Sequence, residues 1–362
     1  NSSWSIYKFR LSLINFLDNN NFDVIACAIH DEEYKKKINK NAKFYSFNSN
    51  KKFKLKLINE IYIFIKFSIL ILKIRPSICL FFTAKPNIIF SISSIIFKRK
   101  YINNITGLGS IFLKKNKLLK IFFNFLYKIS LSRSKYIFFQ NNDDYNYFIN
   151  NKLCKKDISK VIPGSGINTN IKKFYKTKIN DGKKYFLCLS RLIRDKGIYE
   201  YIEASKIINE KYNNIEFKLI GNIDYNNPSS IKEVDLYNLF KNSKIIYKNF
   251  QENVYDEINK CDCIILPSYR EGLSRTLLEA GILKKPAITT NVPGCRDVIY
   301  HNYNGLICEP MNAEDLAKKI EIFINMKDSN LKQMGINAFK NVVNKFDEKI
   351  ILNHYIDVIK DE

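Results

Sequence analysis

Two glutamates, Glu271 and Glu279, lie eight residues apart where a predicted strand leads into a predicted helix. The apolar run Cys263–Leu266 precedes a glycine-containing turn, and apolar residues recur at helical spacing after Ser274. Each carboxylate accepts at least two hydrogen bonds, so such a pair suits the hydroxyl groups of a sugar or a ribose. Ser274 is a suitable N-cap, and the backbone N–H groups of residues 272–275 would then favour an anion. The spacing alone is weak, because a solvated loop glutamate and a surface helix glutamate would look the same.

A basic turn, residues 190–197 (SRLIRDKG), follows the predicted strand Tyr185–Leu189. Arg191 offers a bidentate fork and Lys196 a point charge, which together suit a diphosphate. A solvated basic turn is the alternative for this motif by itself. Both motifs follow strands of one predicted parallel sheet, and the carboxyl ends of such strands share one rim. We therefore expect the two cations and the two glutamates to form a single site.

Strand-like and helix-like segments alternate along the chain, which predicts the α/β class with helices on both faces of parallel sheets. In the first half, apolar runs predict strands at 24–29, 78–82 and 136–139, with helices at 9–17, 55–72, 87–97 and 117–131. Pro163–Gly166 then breaks the pattern, and the alternation restarts at Tyr185. The length predicts two domains, residues 1–170 and 171–345. No strand precedes the first helix, so we expect an initial strand to be missing.

These motifs are similar to those of the GT-B glycosyltransferases of family 4, which share two glutamates separated by seven residues. The turn at 266–272 (LPSYREG) and the Arg191-x4-Lys196 element carry the resemblance. It implies two doubly wound Rossmann-like domains facing across a cleft, with residues 346–362 as a helix that packs back on the first domain. It also implies a retaining transferase in which Arg191 and Lys196 hold the donor diphosphate, Glu271 contacts the donor sugar and Glu279 contacts the ribose. Further donor contacts are expected at Gly109, Gly221, Gln251, Val254, Gly272, Leu273 and Ser274.

Segments of the first half resemble a bacterial subgroup that extends lipid-linked saccharides: 83–87 (TAKPN), 106–109 (TGLG), 140–141 (QN) and 163–166 (PGSG). The resemblance implies a UDP-sugar donor, an N-acetylhexosamine or a hexose, and a polyprenyl-diphosphate-linked acceptor. Lys85 is expected to contact the acceptor phosphate or the donor diphosphate, with a purely structural lysine as the alternative. One departure is that the family's glycine-rich loop after its first strand has no counterpart at Asn1–Ser5.

No Asp-x-Asp motif follows a predicted strand. We therefore expect no metal or other cofactor, and stabilisation of the leaving group by Arg191, Lys196 and a helix N-terminus. Eight scattered cysteines without a Cys-x-x-Cys pair predict buried free thiols. Three histidines offer little material for a metal site or a hydrolase triad.

The net charge of +24 is concentrated in the first half, where residues 1–170 hold 29 Lys and Arg against 9 Asp and Glu. This bias indicates an anionic partner, although an AT-rich genome also enriches lysine. The segment Phe112–Lys135 is either an interfacial helix on an anionic bilayer or a core helix with a solvated basic face. Lysines 66 and 73 and Arg75 interrupt the apolar stretch Ile61–Phe82, so it is not expected to span a membrane.

These features together predict a cytoplasmic protein that binds the inner face of the cell membrane peripherally. Two other classes stay open. One is a nucleotide-sugar epimerase of the same fold, which would need acid and base residues from both domains. The other is a basic nucleic-acid-binding protein, for which the sequence has no zinc, helix-turn-helix or RNP-type signature. We expect no nucleic-acid partner.

Overall fold

A computed structural model describes residues 2–29, 32–38, 42–47, 56–109, 116–170, 181–225, 227–241 and 243–361. The chain forms two compact units, the first from Asn1–Gly166 with Glu348–Glu362 and the second from Ile167–Asp347. Each unit combines parallel strands with helices, so the predicted α/β class is confirmed. Within the described residues no helix is both long and apolar enough to cross a membrane.

The first unit alternates helices and parallel strands. Strands β3 to β6 form a four-stranded sheet in that order, and β1 pairs with β2. Its elements up to Gly166 are α1 (Ser3–Asn19), β1 (Ile25–Ile29), α2 (Glu32–Ile38), β2 (Lys43–Phe47), α3 (Lys56–Ile74), β3 (Ile78–Phe82), α4 (Ala84–Ile96), β4 (Lys100–Ile105), α5 (Lys117–Leu131), β5 (Tyr136–Phe139), α6 (Asn142–Asn150) and β6 (Ser159–Val161).

Strand β4 is one of several elements that the apolar pattern missed, because two of its inward positions are asparagines. The Asn103 amide donates to Asn87 Oδ1 at 3.0 Å and to Ser91 Oγ at 2.8 Å, so the buried polar group is satisfied inside the unit. Helix α1 also begins earlier than predicted, at Ser3, where the Ser2 hydroxyl accepts from the Ser5 N–H at 3.3 Å.

The second unit contains one six-stranded parallel sheet in the order β12-β11-β10-β7-β8-β9. Its elements are β7 (Lys184–Leu189), α7 (Ile198–Lys211), β8 (Ile215–Ile220), α8 (Glu233–Lys241), β9 (Ile246–Lys248), α9 (Val254–Lys260), β10 (Cys263–Leu266), α10 (Arg275–Ile282), β11 (Ala287–Thr290), β12 (Gly305–Cys308), α11 (Ala313–Asn325) and α12 (Asp328–Phe346). Strands β7, β8 and β9 follow one another toward one edge of the sheet. The chain then returns to β10 on the other side of β7, and β11 and β12 follow toward the opposite edge. The strand order therefore reverses between β7 and β10, where ligands bind in open α/β sheets.

Both faces of this sheet are covered, as continuous apolar strands require. Along β7, Phe186 and Cys188 pack into the core on one face while Leu187 and Leu189 pack into the core on the other. The carboxyl-terminal ends of the strands are thus held rigidly, and the loops that leave them are fixed at their bases.

The last helix, α13 (Glu348–Lys360), belongs to the first unit. Ile351, Leu352 and Tyr355 pack in one cluster with Leu13 and Leu17 of α1. The break that the sequence predicted at Pro163–Gly166 coincides with the end of the first stretch of this unit. The polar run that follows lies partly outside the described residues, at 171–180.

Candidate active site

The loops after β7 and β10 touch each other closely. Gly197 has φ +70°, and a β-carbon there would lie 2.0 Å from the carbonyl oxygen of Pro267. The Tyr269 N–H donates to the Asp195 carbonyl at 2.9 Å. Only glycine combines this backbone conformation with such a close approach. The two loops therefore sit side by side at the reversal point of the sheet.

Lys196 and Glu271 meet across these two loops as an ion pair with side chains 17% and 13% exposed. The Ser268 hydroxyl donates to the same carboxylate oxygen, Glu271 Oε1, at 2.7 Å. The Glu271 N–H donates to the Pro293 carbonyl at 3.1 Å, which ties the turn to the loop after β11. Three consecutive loops of the sheet thus fix the position of the Glu271 carboxylate.

Glu279 lies inside α10 and is only 5% exposed, so it is not a surface helix residue. Arg275, one turn earlier, donates from Nε to Glu279 Oε1 at 3.4 Å. The Ser274 hydroxyl caps the helix by accepting from the Leu277 N–H at 3.4 Å, as the sequence predicted. Glu279 is thus a buried carboxylate on the helix that follows the Glu271 turn.

The predicted anion site at residues 272–275 needs one correction. The Ser274 N–H donates to the Gly294 carbonyl at 3.0 Å, because the loop after β11 packs directly against this turn. A β-carbon on Gly294 would lie 2.7 Å from Glu271 Cβ, which shows how close the two loops are. The Ser274 N–H is therefore already hydrogen-bonded within the protein, so it cannot be one of the amides of residues 272–275 that were predicted to face an anion.

Arg191 is the most exposed of the predicted cations of this unit, with a side chain 59% exposed. Its Nη1 donates to Asp224 Oδ2 at 2.6 Å, in the loop after β8. That loop packs against the β7 loop, since a β-carbon on Gly221 would lie 1.8 Å from the Ser190 carbonyl oxygen. The predicted residue Gly221 thus lies beside the Arg191 loop. Asp224 is a partner that sequence motifs did not indicate.

Two further predicted contacts lie after β9. The exposed Gln251 donates from Nε2 to the Asn249 carbonyl at 3.2 Å. Val254 begins α9 and packs its side chain against the core, as Leu273 also does in the turn after Glu271. Any ligand contact by Val254 or Leu273 would therefore come chiefly from the backbone. Gly272 is partly buried in the same turn.

A tyrosine–glutamate contact behind the Glu271 turn was not predicted from the sequence. The Tyr269 hydroxyl donates to Glu200 Oε1 at 2.7 Å, which fixes the turn to α7. Burial and this bond to Glu200 raise the pKa of Tyr269, so the hydroxyl stays protonated and keeps donating. The two residues are 69 positions apart in the chain, and no local pattern links them.

Lys85 and Gly109, the remaining predicted residues, belong to the first unit. Lys85 lies in the first turn of α4, directly after β3, and its ammonium contacts the Glu60 carboxylate of α3. Gly109 has φ +68°, and a β-carbon there would have none of the described atoms within 4 Å.

Thiols near the site are poor nucleophiles. Burial raises the pKa of Cys188 to about 12, although Ser190 and Lys196 act in the opposite direction. Burial, and then the Glu271 carboxylate, raise the pKa of Cys295 to about 12. All eight cysteines are free, as predicted, but only five are buried, since Cys27, Cys79 and Cys154 are partly exposed. Among the described residues, no three His, Cys, Asp or Glu side chains come together as a metal centre requires.

Two Rossmann-like units, with cations and carboxylates on adjoining strand-to-helix loops of the second, define the GT-B class of glycosyltransferases. The family matches agree. Residues 170–341 match the family described as "Glycosyl transferases group 1", and residues 2–141 match "Glycosyl transferase 4-like". The chain belongs to the glycosyltransferase family that these two matches describe, and it is a transferase.

Two curated relatives are bacterial. The capsular polysaccharide biosynthesis glycosyltransferase CapM of Staphylococcus aureus is 30% identical over 353 residues, which cover 93% of this chain and 90% of the relative. The N,N'-diacetylbacillosaminyl-diphospho-undecaprenol alpha-1,3-N-acetylgalactosaminyltransferase of Campylobacter jejuni is 28% identical over 275 residues, covering 70% and 68%. These matches support a transferase over the epimerase and nucleic-acid-binding alternatives.

Solved structures support the fold. Sucrose-phosphate synthase from Thermosynechococcus elongatus superposes with a TM-score of 0.79 at 15% identity, covering 96% of this chain and 90% of that one. The Anabaena protein HepE, in complex with UDP and glucose, gives 0.77 at 16% identity, covering 100% and 98%. The GT-B fold predicted from the sequence is confirmed.

Proposed function

We propose that this glycosyltransferase moves a hexose or N-acetylhexosamine from a UDP-sugar to a polyprenyl-diphosphate-linked saccharide during surface polysaccharide or glycan assembly. The name of the Campylobacter jejuni relative supports a lipid-linked acceptor, and the name of the Staphylococcus aureus relative supports a role in capsule synthesis. The UDP held by HepE supports the nucleotide. In this proposal the second unit binds the donor, and the first unit binds the acceptor at the cytoplasmic face of the membrane.

The contact between Lys196 and Glu271 is the observation that carries the proposal. It brings a cation suited to phosphate and a carboxylate suited to sugar hydroxyls together on adjoining loops. A diphosphate bound by Lys196 and Arg191 would carry its sugar next to Glu271. Glu279, on the helix after the Glu271 turn, is then proposed to accept from the ribose hydroxyls.

The chemistry we propose needs no protein nucleophile. The acceptor hydroxyl oxygen attacks the anomeric carbon on the face from which the diphosphate leaves, so the configuration is retained. The bond between the anomeric carbon and the diphosphate oxygen breaks, and the departing oxygen takes the hydroxyl proton. Arg191 and Lys196 stabilise the charge that develops on the diphosphate, which removes the need for a metal ion. The protonated thiols of Cys188 and Cys295 are consistent with this route.

Lys85 is proposed to contact the acceptor phosphate. Its ammonium lies at the start of α4, just beyond the carboxyl end of β3, and its side chain is 73% exposed. Its ion-pair partner among the described residues is Glu60, so a phosphate could replace or share that carboxylate.

The donor site is tested by titrating UDP, GDP and ADP into the protein by calorimetry. We expect UDP to bind most tightly, and Lys196→Ala to weaken it ~10- to 100-fold, since a charge-assisted contact contributes ~1.5–3 kcal/mol. Lys211→Ala is the matched control, because Lys211 forms another Lys–Glu pair of this unit, with Glu321 at 3.2 Å. Equal UDP binding by the two variants would contradict the assignment.

Transfer is tested with UDP-sugars and a polyprenyl-diphosphate-linked acceptor, with and without EDTA. We expect product in both conditions and retention at the anomeric carbon. An epimerised UDP-sugar formed without acceptor would favour the epimerase instead, and loss of transfer with EDTA would contradict metal-independent catalysis.

A further inference from the structure

A long loop after β8 packs along the basic turn that follows β7. We call the first the β8 loop, residues 222–225 and 227–231, and the second the β7 loop, residues 190–197. Their bases are neighbours because β7 and β8 are paired strands. The β7 loop contains Arg191 and Lys196, the two cations proposed to hold the donor diphosphate.

Backbone hydrogen bonds join the two loops at several points. The Leu192 N–H donates to the Asn222 carbonyl at 2.9 Å, and the Ile231 N–H donates to the Leu192 carbonyl at 3.2 Å. The Arg194 N–H donates to the Ser229 carbonyl at 2.7 Å. Leu192 is fully buried, so a shift of this backbone would leave polar groups without partners and would cost free energy. The β8 loop therefore fixes the β7 loop between its two cations.

The β8 loop is held in shape by its own bonds. The Asn227 N–H donates to the Asp224 carbonyl at 2.9 Å. The side-chain oxygen Oδ1 of Asn227 accepts from the Ser229 N–H at 2.9 Å, which forms an Asx turn. The Ser229 hydroxyl then donates to Asp195 Oδ2 of the β7 loop at 3.1 Å. Asp224 thus lies at the start of a turn that is fixed to the β7 loop at its far end.

Asp224 contacts Arg191 through a single nitrogen of the guanidinium. Arg191 Nη1 donates to Asp224 Oδ2 at 2.6 Å, and the two side chains are 59% and 26% exposed, respectively. Within the described residues, no other side chain bonds to this guanidinium. A guanidinium carries five N–H donors in a rigid fork. One bond to a carboxylate therefore leaves donors that a phosphate can use.

Lys196 is engaged differently. Its ammonium contacts the Glu271 carboxylate, and these two side chains are only 17% and 13% exposed. An ammonium is a point charge on a flexible stem and has no fixed fork. A diphosphate must therefore compete with Glu271 for Lys196, whereas it can bind Arg191 while Asp224 stays in place.

We propose that Asp224 is a positioning residue, which orients the Arg191 guanidinium so that its remaining donors meet the donor diphosphate. This inference rests on the proposed donor site and adds a residue to it. An arginine side chain loses rotational freedom when it binds a ligand. Holding the side chain beforehand removes part of that cost from binding. Asp224 acts through Arg191 and does not need to touch the donor.

The test is a double-mutant cycle in which UDP binding is measured by calorimetry for Arg191→Ala, Asp224→Ala and the two combined. We expect Asp224→Ala to weaken UDP binding about 3- to 10-fold, a modest coupling because the pair is partly exposed. The same substitution should have no effect when Arg191 is already Ala. Asp224→Asn keeps an acceptor oxygen for Nη1 and should bind within about twofold of the natural chain.

Uridine separates an effect on the diphosphate from an effect on the nucleoside. Asp224→Ala should bind uridine as the natural chain does, because uridine has no phosphate for Arg191 to hold. The matched control is Glu203→Ala, which removes the carboxylate of the Lys206–Glu203 pair on α7, at 3.1 Å in the same unit. It should leave the affinities for UDP and uridine unchanged.

Tighter UDP binding by Asp224→Ala would overturn the inference, because Asp224 would then be a competitor of the diphosphate. An equal loss with and without Arg191, or an equal loss for uridine, would also overturn it, since Asp224 would then only support the shape of the loop. Absence of UDP binding by the natural chain would overturn the proposed donor site and this inference with it. The variants should fold, because the backbone bonds of the β8 loop do not involve the Asp224 side chain, and thermal melts check this.

Discussion

The substitution Glu271→Gln should change nucleotide binding and sugar transfer in opposite directions. Without a donor, the Lys196 ammonium is engaged by the Glu271 carboxylate. A donor diphosphate must therefore compete with Glu271 for Lys196. Glutamine keeps the size of the side chain and an acceptor for the Ser268 hydroxyl, but removes the charge.

The size of the effect follows from the partial burial of the pair, whose side chains are 17% and 13% exposed. A hydrogen bond to a charged group contributes ~1.5–3 kcal/mol net. If about half of this competition is relieved, ~0.75–1.5 kcal/mol, UDP should bind about 4- to 12-fold more tightly, since 1.4 kcal/mol is a factor of ten. Transfer loses a charge-assisted contact to the sugar, so kcat/KM should fall about 10- to 100-fold.

Calorimetry with UDP and an initial-rate assay with the UDP-sugar give the two numbers on the same preparation. The control is Glu321→Gln, which removes the carboxylate of the Lys211–Glu321 pair in the same unit. That variant should match the natural chain in both assays.

Weaker UDP binding by Glu271→Gln would refute the reasoning, because it would mean that the carboxylate helps to hold the nucleotide rather than competing with it. Unchanged transfer would refute the assignment of Glu271 to the sugar. Either outcome is separable from misfolding by the melting temperature of the variant.

Five other outcomes are expected. Gly197→Ala should lower the free energy of unfolding by ~2–4 kcal/mol in urea titrations, because the new β-carbon would lie 2.0 Å from the Pro267 carbonyl oxygen and φ is positive. Gly182→Ala, with φ +76° but open space, should cost only about 1 kcal/mol. Glu279→Ala, which removes the acceptor, should bind UDP and its dideoxyribose analogue equally by calorimetry, and retained preference for the ribose would contradict the role. Lys85→Ala should raise KM for the acceptor without changing UDP affinity, and the reverse pattern would assign it to the donor. Buried thiols such as Cys188, with a pKa raised to about 12, should react with a thiol reagent at mildly alkaline pH only after unfolding.

The apolar pattern predicted those strands that are buried on both faces. Strands such as β5, β7 and β10 contain continuous apolar runs, because helices cover the sheet on both faces. Strand β4 was not predicted because two asparagines interrupt its apolar run. Their partners lie in other elements, which no local pattern shows: Asn87 and Ser91 accept from Asn103, and the Phe81 carbonyl accepts from Asn104.

Helix α6 could have been found from its capping pattern. Asn141 accepts from the Asp144 N–H at 2.8 Å, and Asp143 and Asp144 lie in the first turn, where acidic residues favour a helix start. Its polar composition leaves little apolar periodicity to detect. Capping chemistry and apolar periodicity are independent, so an element that lacks one can still show the other.

The candidate site likewise contains residues that the sequence predicts and partners that it does not predict. Arg191, Lys196, Glu271 and Glu279 follow from motif and strand position, because the carboxyl ends of neighbouring parallel strands share a rim. Their partners do not follow. Asp224 lies 33 residues from Arg191 along the chain, and its contact exists only because β7 and β8 pair.

The precision of the site resides in glycines more than in its charged residues. Gly197 lets the Lys196 loop approach Pro267, and Gly294 lets the loop after β11 approach Glu271, where a β-carbon would lie 2.0 and 2.7 Å from its neighbours. Ion pairs alone tolerate small shifts of the backbone, because long side chains adjust. Two backbone segments that lie this close together do not tolerate them. A substitution at either glycine should therefore displace the Glu271 carboxylate even though every charged group is still present.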